Sequence, residues 1–399
     1  MAGQRKSGIG CGTVYLLLAF VLVFGLWHFG IIDRALYLMQ VQSGATFEVK
    51  PETSTQQLSN VPSYRAYDQL NEDERERYLI LLDAFTTRES HIYPESNVEE
   101  LEMLRDCVLA DHPELFYVTG AVMHTTSNRG SGLVTEVTVG GQFSYSEEET
   151  VALQTQLDDA VKAFLADLPA NADDYAKAKY VYTNLAQTVV YDHAAAPANL
   201  DDASTAAGQT VIDALVSKSA VCAGYAKAYQ YLMLKLGVPC LYVEGMANGE
   251  GHAWCAAWLD GDWYLIDPTW GDPQYQSEEG ALEFGRVNYD YLCVTNADLA
   301  PTHNAECPYR VPTCTAMADN YYVREGLYLY EPDVVLAGSF VQGAAARGDQ
   351  SARFRLATRE AYDAVVKELF DDQAIARYIP GDSCTYLLND RLLTAEVAF

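Results

Sequence analysis

Residues 219–236 read SAVCAGYAKAYQYLMLKL, and this stretch decides the architecture of the chain. Its apolar side chains recur at intervals of three and four residues, the spacing of one face of an α-helix. These residues are Cys222, Tyr225, Ala226, Tyr229, Leu232, Met233 and Leu236. Ser219 is a favourable N-cap, and Gly237 and Pro239 end the helix. The pattern therefore predicts a buried helix with Cys222 as its third residue, near the unpaired N–H groups and the positive dipole end that favour a thiolate.

A hairpin follows this helix. Strands are predicted over residues 240–244, 252–259 and 262–267. Asp260-Gly261 suits the type I′ turn of a two-residue hairpin, which pairs Leu259 with Asp262 and fixes every earlier pair. His252 and Asp267 then project from the same face as diagonal neighbours, with Cβ atoms within about 7–8 Å. The carboxylate is thereby placed to hold the imidazole in one tautomer and to stabilise its charged form.

Each of these three residues has a commoner structural explanation when it is taken alone. Cys222 could belong to the core, His252 could be a hydrogen-bonded structural histidine, and Asp267 could form an Asx turn before Pro268. A thiol at a helix start, followed by a histidine–carboxylate pair on adjacent strands, is the arrangement of nucleophile, base and orienting group. We therefore predict Cys222 as nucleophile, His252 as general base and acid, and Asp267 as the orienting carboxylate.

Five segments also resemble the bacterial branch of the transglutaminase-like superfamily. They are DHPELFY (111–117), VYD (190–192), VCAGY (221–225), GHAW (251–254) and WYLIDPTW (263–270). The resemblance covers roughly residues 60–325. It implies an α+β fold with a papain-like core, in which the helix that carries the cysteine packs on an antiparallel sheet, and it implies the same triad. The reaction stays open, because the superfamily includes transglutaminases, peptidases, deamidases and inactive relatives.

The oxyanion hole is the incomplete part of the predicted site. The backbone N–H of Cys222 can supply one donor to a developing negative oxygen. Val216 stands six residues earlier, where a papain-like site has a side-chain donor, and valine has none. The resemblance points to Tyr191 as a substitute. Trp254 and Trp270 either wall the cleft or pack in the core.

The N-terminal region predicts a membrane anchor. Val14 to Ile32 is apolar apart from Tyr15 and His28, and its 19 residues approach the length of a membrane-spanning helix. Arg5 and Lys6 precede it, so the positive-inside rule places residues 1–13 in the cytoplasm and the chain after residue 33 outside. A cleaved signal peptide is the competing interpretation, but no small-x-small cleavage site follows the apolar run.

The remaining boundaries follow from composition and periodicity. We predict a cytoplasmic tail (1–13), the anchor (14–32), a linker (33–60), an N-terminal α/β region (61–148), a catalytic core (149–325) and a small C-terminal α/β unit (326–399). Leu115 to Val118 is predicted as a strand. The acidic runs 72–74 and 147–149 are predicted to begin helices, because carboxylates favour a helix N-terminus.

Cysteine spacing gives little support for a metal. Cys293, His303, Cys307 and Cys314 form a loose cluster that matches no standard zinc pattern. A Cys307–Cys314 disulfide outside the cell and plain buried thiols both stay open. We predict no metal and no cofactor.

The predicted function is that of an extracytoplasmic thiol enzyme acting on peptide or glutamine-amide bonds of a protein or peptide substrate. Hydrolysis is favoured, since water outside a cell greatly exceeds any amine. Protein cross-linking is one alternative, and a non-catalytic surface binding module is another. The net charge of −29 argues against nucleic acid, which requires clustered Lys and Arg. No oligomeric state is predicted.

Overall fold

The computed structural model describes residues 64–94, 97–128, 134–195, 207–272 and 287–399. All of them belong to the compact unit Val61–Phe399. The predicted anchor (14–32) and linker (33–60) lie outside the described residues. Within the described ranges, none of the helices combines the length and the apolar character that crossing a membrane requires.

Helices and strands are interspersed along the chain. The helices are α1 Ala66–Gln69, α2 Glu72–Thr87, α3 Val98–Asp111, α4 Glu147–Phe164, α5 Asp174–Thr188, α6 Cys222–Lys235, α7 Asn296–Leu299, α8 Tyr321–Arg324, α9 Val334–Arg347 and α10 Arg359–Val366. The strands are β1 His91–Ile92, β2 Val118–Asn128, β3 Val134–Phe143, β4 Val190–Tyr191, β5 Ser219–Ala220, β6 Cys240–Ala247, β7 Glu250–Leu259, β8 Asp262–Ile266, β9 His303–Ala305, β10 Tyr328–Leu329, β11 Ser351–Leu356, β12 Thr385–Asn389 and β13 Thr394–Ala398. Single turns of π- or 3₁₀-helix lie at Asp213–Ser217, Tyr289–Tyr291, Lys367–Asp371 and Ala374–Arg377.

Helix α6 packs on the four-stranded sheet β8-β7-β6-β9. The apolar face predicted from its spacing is confirmed, because Tyr225, Ala226, Tyr229, Leu232 and Met233 are all fully buried. The hydrophobic cluster beneath this face draws side chains from Ala66 through Tyr309, so the helix lies at the centre of the core.

The start of α6 differs from the prediction. The helix begins at Cys222, and Val221 takes the N-cap position, so the prediction of Ser219 as N-cap is wrong. Ser219 and Ala220 instead form β5, which pairs in parallel with β4. Strand pairing uses their backbone groups, and the Val221 N–H donates to Gly208 O at 2.9 Å. Cys222 is therefore the first residue of the helix and not the third.

The predicted hairpin register is confirmed. Asp260 and Gly261 have φ values of 49° and 109°, the left-handed backbone that a type I′ turn requires. The observed pairs include Leu259–Asp262, Trp258–Trp263 and Cys255–Ile266. Strand β8 ends at Ile266, so Asp267 is the first residue beyond the sheet.

Gly245 brings the last strand of this sheet close to the site. On β6 it pairs with His252 of β7 on one side and with Ala305 of β9 on the other. A Cβ atom at this position would lie 2.0 Å from the carbonyl oxygen of Asn304, so only glycine allows the approach. The approach places His303, two residues before Ala305, at the same end of the sheet as His252.

The N-terminal region is a three-stranded sheet, β1-β3-β2, covered by helices. Both acidic runs begin helices as predicted, in capping boxes formed by Asn71 with Glu74 and by Ser146 with Glu149. The predicted strand at 115–118 is wrong. This segment forms consecutive turns after Pro113, with Leu115 N–H donating to His112 O and Val118 N–H to Leu115 O, and β2 begins only at Val118.

The C-terminal residues form the sheet β10-β11-β13-β12 with a hydrophobic cluster of its own, from Leu329 to Val397. Its exposed edge strand β12 carries three partly exposed apolar side chains, Tyr386, Leu387 and Leu388. Buried Arg355 of β11 pairs with Asp298 of α7, which anchors this sheet to the chain around the site.

The β12–β13 hairpin reaches a second buried carboxylate, Asp290. Its Oδ2 accepts hydrogen bonds from Asn389 Nδ2 at 3.0 Å and from Thr394 Oγ1 at 2.9 Å. Leu392, between these two residues, packs in a hydrophobic cluster that contains Trp254, Trp263 and Trp270. The hairpin therefore contributes to the surroundings of the site.

Cys307 and Cys314 are free thiols, so a disulfide between them is not formed. The Cys307 thiol donates to the Glu244 carbonyl at 3.4 Å, and the Cys314 thiol donates to the Pro312 carbonyl at 3.6 Å. Each thiol thus donates to a backbone carbonyl, so of the two alternatives left open by the sequence, the one with unlinked thiols is observed.

Candidate active site

Cys222 presents a half-buried thiol at the N-terminus of α6. The first N–H groups of a helix have no acceptor within the helix, and the aligned peptide dipoles place partial positive charge there. Both effects stabilise a thiolate and a developing oxyanion. As the first helical residue, Cys222 contributes its own N–H to these donors.

The predicted contact between His252 and Asp267 is confirmed. His252 Nε2 lies 2.8 Å from Asp267 Oδ2, and the two side chains are 4% and 0% exposed. Since Nε2 is engaged with the carboxylate, Nδ1 remains for the thiol. Cys222 lies close enough to this imidazole to raise its pKa. The structure therefore brings all three predicted residues together in the order thiol, imidazole, carboxylate.

The charges of this group support one another. Burial alone would lower the pKa of His252, but the charge and hydrogen bond of Asp267, together with the thiol of Cys222, raise that pKa from 6.5 to about 10. Burial alone would raise the pKa of Asp267, but His252 and His303 hold it well below its usual range. At neutral pH the carboxylate is thus ionised, and the imidazole readily holds a second proton.

Asp267 also forms the Asx turn that was considered as its structural role. Its Oδ1 accepts the N–H groups of Thr269 at 3.0 Å and Trp270 at 3.1 Å, which is an Asx turn around Pro268. The two roles use different oxygens. The turn fixes Oδ1 and thereby presents Oδ2 to the imidazole.

His303 is a residue of the site that the sequence did not identify. Its Nε2 lies 3.2 Å from Asp267 Oδ2, the same oxygen that binds His252. The spacing had grouped it with the nearby cysteines. The available signal was Gly245, because a glycine inside a strand marks a close approach of another backbone.

His252, Asp267 and His303 each offer a ligand atom, and these atoms lie within 4.8 Å of one another, so a divalent metal is chemically conceivable. Metal ligands point their lone pairs at one shared empty position. Here both imidazole Nε2 atoms are directed at Asp267 Oδ2 itself, at 2.8 and 3.2 Å. The observed arrangement fits two hydrogen bonds to one oxygen better than it fits a coordination sphere.

Trp254 and Trp270 surround the two histidines. Their ring centroids lie 6.1 and 5.7 Å from that of His252, and 5.0 and 4.6 Å from that of His303. Only 2% of Trp254 and 6% of Trp270 is exposed. Both indoles therefore pack around the imidazoles and exclude solvent from the carboxylate.

The two residues considered for the oxyanion hole lie near the start of α6. Tyr191 on β4 pairs with Ala220, two residues before Cys222, and its ring centroid lies 4.9 Å from that of His193. Val216 lies in the π-helical turn Asp213–Ser217 and is partly buried. Its side chain has no donor, so it adds nothing to the Cys222 N–H.

Comparison with known proteins shows a similarity over part of the chain. Residues 162–268 match the family model of the transglutaminase-like superfamily, and this segment contains Cys222, His252 and Asp267. The chain thus carries a transglutaminase-like α+β core.

More distant relatives share only parts of the chain. A segment is 35% identical over 71 residues to kyphoscoliosis peptidase of Homo sapiens and of Mus musculus, which is 15% of this chain and 11% of each relative. A crystal structure of a TGase shows 16% identity over 45% of this chain and 50% of the other, with a TM-score of 0.26. The periplasmic domain of TgpA from Pseudomonas aeruginosa shows 16% identity over 41% of this chain and 67% of the other, with a TM-score of 0.23.

Proposed function

We propose that this chain is a thiol enzyme that cleaves peptide or glutamine-amide bonds through an acyl-enzyme at Cys222. One observation carries the proposal. The thiol at the first residue of α6 lies within reach of His252, whose other nitrogen is bonded to the buried carboxylate Asp267 at 2.8 Å. This is an activated nucleophile with its base and its orienting group.

The first half of the reaction forms the acyl-enzyme. The Cys222 proton passes to Nδ1 of His252, and the resulting thiolate attacks the carbonyl carbon, so that a C–S bond forms. The carbonyl oxygen becomes negative and accepts a hydrogen bond from the Cys222 N–H. When the intermediate collapses, the C–N bond breaks, and the imidazolium donates its proton to the leaving amine or ammonia.

The second half releases the product. Nδ1 of His252 takes a proton from water, which attacks the thioester carbon. The C–S bond then breaks to give a carboxylic acid and a thiolate, and the imidazolium returns its proton to the sulfur. Asp267 remains ionised throughout, because four hydrogen bonds stabilise its charge. Tyr191 is our candidate for a second oxyanion donor, on the basis of its position beside the start of α6.

Hydrolysis is the outcome that we favour over cross-linking. A transglutaminase must admit an amine while it holds water away from the thioester. Trp254 and Trp270 are almost fully buried against the two histidines, so they shield the carboxylate and not an amine channel. The half-buried thiol of Cys222 supports access for water.

The test incubates the protein with a glutamine-containing peptide library and a labelled primary amine, and mass spectrometry follows the products. Cys222→Ser is the matched control, since it changes only the sulfur atom. Cleaved or deamidated peptides that disappear in the control are expected. Predominant amine incorporation would establish cross-linking instead. No product with either protein would overturn the proposal and leave a binding module that retains the fold.

We also propose that this activity lies outside the cytoplasm, at the membrane. The support is the apolar run 14–32 preceded by Arg5 and Lys6. Protease added to intact cells should digest the chain beyond residue 33. Full protection of that region would contradict this location.

A further inference from the structure

Two histidines share the carboxylate of Asp267, and the mechanism above uses only one of them. His303 lies on the edge strand β9 and is 8% exposed. Its Nε2 is 3.2 Å from Asp267 Oδ2, while His252 Nε2 is 2.8 Å from the same atom. Because backbone N–H groups occupy Oδ1, the two imidazoles complete a set of four donors around one carboxylate.

The hydrogen bonds of His303 determine which of its nitrogens faces Asp267 as a donor. An ionised carboxylate only accepts, so Nε2 must carry a proton. Nδ1 lies 2.8 Å from Thr302 Oγ1, and this hydroxyl also lies 3.1 Å from the Leu299 carbonyl. If Thr302 donates to Nδ1, the imidazole is neutral; if it donates to Leu299, the imidazole is charged. In both cases the Nε2 proton points at Asp267.

Packing fixes the His303 ring in this position. Its centroid lies 4.6 Å from that of Trp270, 5.0 Å from that of Trp254 and 5.5 Å from that of His252. On β9 the residue is held by backbone pairing with Ala247 of β6. A buried polar side chain with both ring nitrogens engaged and its ring enclosed by aromatic groups is rigid.

We propose that His303 is a positioning residue of the reaction: by donating to Asp267 Oδ2 it holds the carboxylate in place and draws part of its negative charge away from His252. This inference rests on the proposed thiol-enzyme function. A carboxylate that served His252 alone would hold the imidazolium proton more tightly. The proton would then transfer more slowly to the leaving amine. His303 thus keeps His252 able both to accept and to donate.

Within the ranges that the structure describes, the titratable groups beside His252 come from three elements. Cys222 approaches from α6, Asp267 from the segment after β8, and His303 from β9. The phenols of Tyr182 and Tyr291 lie near Asp267, and burial together with nearby carboxylates raises their pKa values above the ordinary value, so they stay neutral. A change at His303 therefore acts on His252 through Asp267.

Two substitutions separate hydrogen bonding from packing. His303→Phe keeps a ring between the indoles and removes the donor, whereas His303→Gln keeps an N–H donor that does not titrate. For His303→Phe we expect a fall in kcat of about tenfold with KM unchanged, and a rise of about one pH unit in the alkaline limit of Cys222 alkylation. His303→Gln should recover most of the wild-type rate and limit. His112→Phe is the matched control, since His112 is bonded to Glu114 at 2.8 Å outside the site.

Alkylation by iodoacetate needs no substrate turnover, and the imidazolium beside the thiolate attracts this anion, so the rate falls once His252 loses its proton. The pH of that fall is the alkaline limit, and it tests His303 even if the proposed function fails. An unchanged alkaline limit in His303→Phe would overturn the proposal, as would equal impairment in His303→Gln. A second measurement uses the unaltered protein: proton NMR with ¹⁵N-labelled histidine should show two hydrogen-bonded Nε2 protons, from His252 and His303. The absence of the His303 signal would also overturn the proposal.

Discussion

Asp267→Asn is the most informative substitution in the site. The side-chain oxygen of asparagine can still accept the N–H groups of Thr269 and Trp270, so the turn is retained. The amide nitrogen, however, replaces the oxygen that faces His252 and is itself a donor. The imidazole must then turn its lone pair towards this amide and carry its proton on Nδ1, which leaves no acceptor for the Cys222 proton.

The expected loss of activity in Asp267→Asn follows from the pKa of His252. Its rise from 6.5 to about 10 corresponds to a net stabilisation of the imidazolium by about 5 kcal/mol. Asp267 supplies most of it, because burial acts in the opposite direction. Loss of this stabilisation from the rate-limiting proton transfers is expected to lower kcat/KM by about 3,000-fold.

The assay combines peptide hydrolysis with the pH profile of Cys222 alkylation by the anion iodoacetate, whose rate falls when the imidazolium loses its proton. In the wild type the thiolate–imidazolium pair should persist up to about pH 10, and Asp267→Asn should move this alkaline limit below pH 7, because burial lowers the pKa of His252 once the carboxylate is gone. Asp319→Asn is the control, a buried carboxylate that pairs with Arg324 away from the triad. A loss of activity below tenfold, or an alkaline limit that stays near pH 10, would refute the reasoning.

Three further outcomes are expected. The stabilisation that His252 contributes should be fully present below about pH 6.5 and be lost as pH rises towards 10, because the folded-state pKa of His252 exceeds its unfolded value; thermal melts of His252→Gln should lack this decline. Arg355→Met should lower the free energy of unfolding by about 3 kcal/mol in urea titrations, since the largely buried Asp298 carboxylate loses its ion-pair partner and keeps only its hydrogen bonds from Thr295, and adding Asp298→Asn should recover part of the loss. Gly245→Ala should destabilise the protein by roughly 1–3 kcal/mol and impair activity, because its Cβ would meet a β9 carbonyl at 2.0 Å. Gly343→Ala in α9 should be neutral or stabilising, because the nearest atom to the new Cβ would be Arg347 Nη1 at 3.5 Å. Equal effects of the two glycine substitutions would contradict the role given to β9.

The sequence predicted those features that depend on short-range rules. Asp260-Gly261 specifies one turn type, the turn fixes the register of β7 and β8, and strand parity then brings His252 to Asp267. The buried face of α6 follows from helical periodicity in the same way. Each inference spans fewer than about 20 residues and requires only one physical rule at each step.

The features that the sequence did not predict depend on contacts between residues that are far apart in the chain. Ser219 is a residue type that favours the N-cap position. Its backbone instead pairs with β4, some 29 residues earlier in the chain, as part of β5. His303 reaches Asp267 only because β9 joins the sheet beside Gly245. A strand of three residues is too short for this pairing to be predicted from the sequence. The turns at 115–118 depend on His112 and Pro113 and not on the apolar composition that suggested a strand.

The hairpin that reaches Asp290 has a consequence for the timing of synthesis. A ribosome that has passed residue 325 has already made Cys222, His252 and Asp267, yet Asn389, Leu392 and Thr394 are still missing. Until these residues have been synthesised, the Asp290 carboxylate lacks two of its hydrogen-bond donors. The hydrophobic cluster that contains Trp254 and Trp270 also lacks Leu392. The surroundings of Cys222, His252 and Asp267 are therefore complete only after the C-terminal hairpin has been translated and docked.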